Sequence, residues 1–135
     1  MTIVVLDASG AAEIAARTAI GVDFYNRLLN ANKVLAPDLY IAEVSNVMWK
    51  KGRRDNANID VYIDIAQDCI SYVHEYERSV NLWEEALRAS IEQDHPVYDM
   101  LYAVLAKRHG ALLLTTDGKL AHICEKLSVR TRGVE

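Results

Sequence analysis

The sequence predicts an α/β fold with a mostly parallel central sheet and helices on both faces. Short apolar runs suited to buried strands occur at residues 3–6, 33–37 and 111–114. Between these runs, apolar residues recur with helical spacing, and turn residues separate the two kinds of segment. Strands that alternate with helices are typical of parallel sheets, because a parallel pair of strands requires a crossover connection.

The elements are expected in a regular order. The first strand, residues 3–6, leads through the turn 7–10 into a helix rich in glycine and alanine. A helix over 21–32, a strand over 33–37 and a helix from Asp38, its expected N-cap, to Lys51 follow, with Gly52 as the end of that helix. The remaining elements are helices over 56–72 and 82–93 around a strand over 73–78, a helix over 97–108 between Pro96 and Gly110, a strand over 111–114, a helix over 119–126 and a short strand near Val129.

The composition excludes several classes of protein. The chain has 135 residues, 51% of them hydrophobic and 25% charged, and its net charge is −4. This balance is typical of one globular domain and excludes a uniformly basic nucleic-acid coat, so any contact with nucleic acid must be local. Cys69 and Cys124 lack Cys-x-x-Cys spacing, and no apolar run approaches the roughly 20 residues that span a bilayer. We therefore expect a cytoplasmic protein without a membrane segment.

Four acidic residues are candidates for the functional site of such a fold. Asp7 and Asp117 each follow a buried strand, so both are expected in the crevice beyond the carboxyl ends of the strands. Asp99 is the only acid of its helix and lies among residues that favour burial, so it requires a partner. Glu43 falls at the margin of the apolar stripe of its own helix.

Each acid also has a purely structural explanation. Asp7 and Asp117 could cap the helices that follow them. Asp99 could complement a helix dipole, and Glu43 could be a solvated helix acid. Together, however, four carboxylates within about 5 Å would repel by roughly 3 kcal/mol per pair at an effective dielectric near 20. Such a cluster stays ionised only around a cation, and an all-oxygen set of ligands favours Mg²⁺ or Mn²⁺.

Three segments, in order and over nearly the whole chain, resemble one known family. They are V-V-L-D-A-S at 4–9, A-P-D-L-Y-I-A-E-V-S-N-V-M-W-K at 36–50 and V-Y-D-M-L-Y-A-V-L-A-K-R-H-G-A-L-L-L-T-T-D-G-K-L at 97–120. With these segments the chain resembles the PIN domain, specifically the VapC-like toxins of type II toxin–antitoxin systems. The resemblance implies a single PIN-like domain over residues 1–135.

The resemblance also implies a metal-dependent endoribonuclease. Its acidic catalytic and metal-binding site corresponds here to Asp7, Glu43, Asp99 and Asp117, with Mg²⁺ or Mn²⁺ as the cofactor and RNA as the substrate. Ser9 and Thr115 correspond to polar residues that flank this site, although local turn capping would explain both equally well. Members of the family are typically dimers held in check by a small antitoxin protein. A homodimer and an antitoxin partner are therefore expected.

Cations beside an acidic cleft are needed for RNA to approach it. Lys50 and Arg54 share the flank of Glu43 if that helix continues, so we expect them to contact the substrate backbone; a solvated helix end is the alternative. Asp94 is a weaker candidate for a supporting acid near Asp99. The four histidines show no recurring ligand spacing.

Two other functions remain open from the sequence. A haloacid-dehalogenase-like phosphatase or phosphotransferase would use Asp7 as its nucleophile, but that class has a second Asp two residues later, where this chain has Ser9. A PIN-like module that only binds RNA or protein is the other alternative. A nucleotide-cofactor enzyme is disfavoured, because neither G-x-G-x-x-G nor G-x-x-x-x-G-K-[ST] occurs.

Overall fold

A five-stranded parallel sheet forms the centre of the computed structural model, which describes residues 1–56 and 58–133. The strands are β1 (Ile3–Leu6), β2 (Lys33–Pro37), β3 (Glu75–Glu77), β4 (Leu112–Leu114) and β5 (Thr131–Arg132), in the spatial order β3-β2-β1-β4-β5. The helices are α1 (Ala8–Ala16), α2 (Ala19–Asn30), α3 (Leu39–Asp55), α4 (Ile59–Ser71), α5 (Trp83–Gln93), α6 (Val97–His109) and α7 (Gly118–Lys126), with a short 3-10 helix at Ser79–Asn81. The predicted α/β fold with a parallel sheet is confirmed.

The strand order reverses direction between β1 and β4. From β1 the chain steps outward to β2 and β3, and then returns to the other side of β1 to form β4 and β5. Because right-handed crossovers in opposite directions place their helices on opposite faces, α1 to α4 cover one face and α5 to α7 the other. The contacts agree with this arrangement, since α1 packs on α2, α3 and α4, whereas α6 packs on α5 and α7. The reversal opens a crevice at the carboxyl ends of β1 and β4.

The core lies between the two innermost strands and α6. Val5 and Leu6 of β1 and Leu113 and Leu114 of β4 have no exposed surface. Every residue from Met100 to Ala106 of α6 is buried, because this helix crosses β1, β2 and β4. Close packing on all sides restrains the position of α6, and it therefore also restrains the position of the first turn of this helix.

The third helix differs from the prediction at both ends. It continues through Gly52 to Asp55 and ends at Asn56 in the left-handed conformation (φ 49°). Gly52 does not end the helix because α3 packs there against α4, with the Tyr62 ring 3.3 Å from the position of a Cβ; this packing overrides the roughly 1 kcal/mol that glycine costs in a helix. Asp38 occupies the N-cap position but makes no capping bond. Its carboxylate accepts from the Ser79 hydroxyl instead (2.5 Å).

Other boundaries agree closely with the expectations. The irregular segment 73–78 does contain the edge strand β3, and Gly110 ends α6 in the left-handed conformation (φ 59°). The final strand lies two residues beyond Val129. Within residues 1–56 and 58–133, none of the helices combines the length and the apolar character needed to cross a membrane.

Candidate active site

The predicted acids lie on elements that begin at the carboxyl edge of the sheet. In a parallel sheet each helix that follows a strand begins at this edge, so α1, α3 and α7 start here. Helix α6 also starts here, because it runs back to the beginning of β4. Asp7 precedes α1, Glu43 lies in the second turn of α3, Asp99 in the first turn of α6, and Asp117 precedes α7.

Asp7 is the most buried of these acids, with 5% of its surface exposed. It caps α1, and its Oδ1 accepts hydrogen bonds from the Gly10 N–H (2.8 Å) and the Ser9 hydroxyl (2.7 Å). Burial raises the pKa of Asp7 to about 6, against the opposing effect of hydrogen bonds from Thr115, Ser9 and Gly10, and the charge of Glu43 raises it further. The structural explanation for Asp7 is therefore right, but capping alone does not account for a buried carboxyl beside a second acid.

Ser9 and Thr115 join the ends of β1 and β4. The Ser9 hydroxyl accepts from the Thr116 N–H (3.0 Å) and lies 3.4 Å from the Thr115 hydroxyl, which accepts from the Asp117 N–H (3.0 Å). The close approach depends on Gly10, because a Cβ there would stand 2.9 Å from the Leu114 carbonyl oxygen. Both hydroxyls thus serve as local turn partners, and Ser9 also donates to the Asp7 carboxylate; their role beside a catalytic site stays a prediction.

Asp117 caps α7 through one carboxylate oxygen. Its Oδ1 accepts from the backbone N–H groups of Lys119 (3.0 Å) and Leu120 (3.2 Å). The hydrogen bonds through Thr115, Thr116 and Ser9 connect it to Asp7. Asp117 thus belongs to the same edge of the sheet, one strand away from Asp7.

Glu43 is half-buried and held by a tyrosine of the opposite helix layer. The Tyr102 hydroxyl donates to Oε1 of Glu43 at 2.5 Å, across a separation of 59 residues along the chain. Burial raises the pKa of Glu43, the Tyr102 hydrogen bond lowers it, and the charge of Asp99 raises it. The Tyr102 contact was not predicted, because an aromatic residue in an apolar stretch of helix is typical of the hydrophobic core. Tyr102 is indeed buried in the core, and its hydroxyl reaches Glu43 from there.

Asp99 has the partner that its position requires. His95 Nε2 donates to Asp99 Oδ2 at 2.7 Å, with 9% of the His95 side chain and 28% of the Asp99 side chain exposed. The spacing of four residues across the start of α6 is the sequence pattern that could have identified His95. The neighbouring Asp94 is exposed and takes the left-handed conformation that ends α5 (φ 52°), so the supporting residue here is the histidine and not the acid.

Charge coupling links three of the four acids. Glu43 raises the pKa of Asp7, and Asp99 raises the pKa of Glu43. Burial raises the pKa of the Cys124 thiol to about 12, and the charges of Asp7 and Asp99 add to this effect. Glu43 therefore lies within the electrostatic reach of both Asp7 and Asp99.

The acids offer carboxylate oxygens, which are the kind of ligand that a hard divalent cation prefers. Across the described ranges 1–56 and 58–133, the hydrogen bonds to Glu43, Asp99 and Asp117 engage one oxygen of each carboxylate, Oε1, Oδ2 and Oδ1 respectively. The other oxygen of each is left for a ligand, and carboxylate oxygens suit Mg²⁺ or Mn²⁺. Among these same residues no three His, Cys, Asp or Glu side chains stand close enough to hold an ion as they are. The donors match in kind, and their mutual repulsion matches what a cation would relieve.

The predicted substrate-binding cations lie further along α3. Lys50 and Arg54 are both exposed, and the helix is continuous between them and Glu43. The Arg54 guanidinium contacts the Asp55 carboxylate (3.1 Å), with 73% of the Arg54 side chain exposed. An exposed pair of this kind is weak, so Arg54 can exchange Asp55 for a phosphate. Their contact with substrate stays a prediction.

Comparison with known proteins identifies the family. A family model described as PIN domain matches residues 4–126. The chain belongs to the PIN domain family. This PIN domain is 27% identical over 122 residues to Ribonuclease VapC3 of Pyrobaculum aerophilum, which corresponds to 87% of this chain and 91% of that protein. The predicted VapC-like PIN-domain protein is confirmed.

A solved structure supports the same fold. The crystal structure of PAE2754 from Pyrobaculum aerophilum matches this PIN domain with a TM-score of 0.72 and 22% sequence identity. The match covers 99% of this chain and 90% of that one. The overall fold described above is therefore shared with a protein seen in a crystal.

Proposed function

We propose that this PIN domain is a metal-dependent endoribonuclease and the toxin component of a toxin–antitoxin pair. The observation that carries the proposal is the placement of Asp7, Glu43, Asp99 and Asp117 on elements that begin at the carboxyl edge of the sheet. Acids gathered at one edge of a sheet repel one another, and a bound cation relieves that repulsion. The similarity to Ribonuclease VapC3 supports RNA as the substrate.

Asp7, Glu43, Asp99 and Asp117 would hold Mg²⁺ or Mn²⁺. A divalent ion held there supplies Lewis-acid stabilisation of charge on the scissile phosphate and lowers the pKa of the attacking water. The chain itself orients the donors. Ser9 and the Gly10 N–H hold Oδ1 of Asp7, and the N–H groups at the start of α7 hold Oδ1 of Asp117. Carboxylates that are already held by backbone and hydroxyl groups lose less freedom when an ion binds than free side chains would.

The phosphates of an RNA substrate are repelled by the acids at this edge of the sheet, so positive charge is needed nearby. Four helices, α1, α3, α6 and α7, point their amino ends toward it, and the partial positive charge of each favours an approaching phosphate. Lys50 and Arg54 extend the positive surface along α3. We propose that the RNA backbone runs from the acids along α3 toward these two cations.

Cleavage of RNA by the purified chain tests the nuclease. We expect cleavage of a structured RNA in Mn²⁺ or Mg²⁺, loss of cleavage in EDTA, and a loss of at least 100-fold in Asp7→Asn and Asp99→Asn. The matched control is Asp64→Asn, which removes an exposed carboxylate of α4 and leaves cleavage unchanged. Cleavage that persists in both site variants points to a contaminating nuclease, and no cleavage of any RNA with either ion favours a module that only binds.

A partner protein is supported by the apolar surface between α3 and α4. A groove of about 510 Å³ lies there, lined by Met48, Trp49, Arg53, Ile59, Tyr62 and Ile63 among others. Ile59 and Ile63 are 73% and 59% exposed, which is unusual for isoleucine on a monomer. We propose an antitoxin chain and a homodimer as the two kinds of contact that cover the exposed apolar surface.

Growth of an expressing culture tests the toxin role. We expect expression of the wild-type chain to arrest growth and Asp99→Asn to relieve the arrest at equal protein level. The cytoplasm is the proposed place of action, because both cysteines are buried free thiols and the substrate is RNA. Light scattering of the purified chain tests the dimer, with about twice the chain mass expected.

A further inference from the structure

We infer that Tyr102 is a positioning residue that sets the place of the Glu43 carboxylate in the acid site; the inference rests on the proposed function. Tyr102 is 1% exposed and lies on α6, in the helix layer opposite to Glu43. Its hydroxyl donates to Oε1 of Glu43 at 2.5 Å. The contact therefore passes from one layer to the other at the edge of the sheet where the acids stand.

The ring of Tyr102 is held in a fixed position, so the donor of this hydrogen bond is fixed as well. Tyr102 lies within the run Met100 to Ala106, which is buried throughout, so its ring cannot change rotamer without displacing the core. Glu43, in contrast, is a half-exposed side chain with three rotatable bonds. When one group is fixed and the other is free, the hydrogen bond locates the free group.

The helix that carries Tyr102 also carries Asp99. The two residues are three positions apart, so they project from neighbouring points of α6 toward the same edge. Asp99 and the Glu43 carboxylate that Tyr102 holds are thus both tied to the amino-terminal part of α6. Helix α6 thus supplies one acid directly and determines the position of a second acid through Tyr102.

The hydrogen bond engages Oε1 of Glu43, and among residues 1–56 and 58–133 no hydrogen bond engages its second oxygen. Groups that orient a metal-binding carboxylate typically change metal affinity by 10- to 100-fold when they are removed. Stability of the fold does not require this particular bond, because Tyr40, Val44 and Met48 already anchor α3 in the core. Loss of the hydroxyl should therefore affect the acid site more than the fold.

Mn²⁺ binding to the full chain, measured by the electron paramagnetic resonance signal of the free ion, tests the inference. Tyr102→Phe should weaken Mn²⁺ binding by 10- to 100-fold and lower kcat for RNA cleavage with KM for RNA nearly unchanged. The matched control is Tyr40→Phe, which also removes a hydroxyl from a fully buried tyrosine, one that donates to the backbone oxygen of Cys69 at 2.6 Å. Tyr40→Phe should leave Mn²⁺ affinity within twofold of wild type.

A second variant covers the case in which Tyr102→Phe does not fold. Glu43→Asp keeps the charge but withdraws the carboxylate from the hydroxyl by one methylene, and it should weaken Mn²⁺ binding by a similar factor. If Tyr102→Phe folds and binds Mn²⁺ as wild type does, or if Tyr40→Phe weakens binding equally, the positioning role is wrong and the proposed function stands. If Tyr102→Phe does not fold, wild-type affinity in Glu43→Asp overturns the role instead. If the wild-type chain neither binds Mn²⁺ nor cleaves RNA, the proposed function fails and the inference fails with it.

Discussion

His95 and Asp99 face one another across the start of α6, with Nε2 of the histidine 2.7 Å from Oδ2 of the aspartate. The imidazole is nearly buried, with 9% of its side chain exposed, and so it is itself held in place. This contact leaves Oδ1 of Asp99 for a ligand and explains how an acid among apolar neighbours is stabilised. Four further consequences of the site geometry can be measured.

Removal of the imidazole should weaken catalysis without unfolding the chain. His95→Ala takes away the hydrogen bond to Oδ2 of Asp99, and we expect RNA cleavage to fall about 10-fold. His95→Gln retains an N–H donor on a side chain of similar reach and should recover most of the activity. Equal rates in His95→Ala and wild type would show that Asp99 is positioned by its helix alone.

The buried Asp7 should make stability depend on pH. Its pKa is about 6 in the folded chain against the ordinary value of 3.8, because burial disfavours the charged form. The folded state thus holds this proton more tightly, and the associated stability is complete below about pH 4 and is lost as the pH rises through 6. In EDTA, Asp7→Asn should match wild type near pH 4 and exceed its free energy of unfolding by about 3 kcal/mol at pH 7.5.

Urea unfolding at the two pH values measures this difference. Asn retains an oxygen that accepts from the Gly10 N–H, so capping of α1 is conserved in the variant. Glu43 also has a raised pKa but is present in both proteins, and its direct contribution largely cancels. A difference between Asp7→Asn and wild type that is the same at pH 4 and pH 7.5 would contradict the burial argument.

Ser9 should contribute to stability through the Thr116 N–H. Ser9→Ala leaves that donor unpaired at a half-buried site and should cost about 1–2 kcal/mol, seen as a drop of several degrees in Tm. The control is Ser45→Ala, since the Ser45 hydroxyl is exposed and donates to the Ile41 carbonyl oxygen of its own helix. If both variants melt alike, Ser9 does not join β1 to β4 in the way described.

The salt dependence of RNA binding should report the cations of α3. Lys50→Ala combined with Arg54→Ala should weaken binding to all RNAs and reduce the slope of log affinity against log salt by about 1–1.5. The control pair, Arg88→Ala with Lys107→Ala, removes the same charge from α5 and from the far end of α6 and should leave the slope unchanged. Equal slopes in the two double variants would place the RNA elsewhere.

The sequence predicted the fold more completely than it predicted the site. Buried strands such as β1 and β4 are continuous apolar runs, and their alternation with helices leaves few topologies to consider. Gly52 was misjudged because its effect depends on the Tyr62 ring of another helix, which no local pattern reports. Asp38 was misjudged for the same reason, since its partner Ser79 lies 41 residues away.

The acids were identifiable from position, whereas the groups that hold them were not. Asp7 and Asp117 end strands, and that placement is visible in the sequence. Tyr102 reads as a core residue, and its hydroxyl contact across 59 residues depends on the packing of α3 against α6. His95 stands outside the helix pattern, in the turn before Pro96, so only its spacing from Asp99 hinted at the pair.

Anomalous scattering from crystals of the wild-type chain grown with Mn²⁺ tests the central claim most directly. We expect a manganese peak at the carboxyl edge of the sheet, within coordination distance of oxygens from Asp7, Glu43 and Asp99. A fully ordered edge with no manganese peak, or an ion bound only by residues elsewhere on the chain, would contradict it.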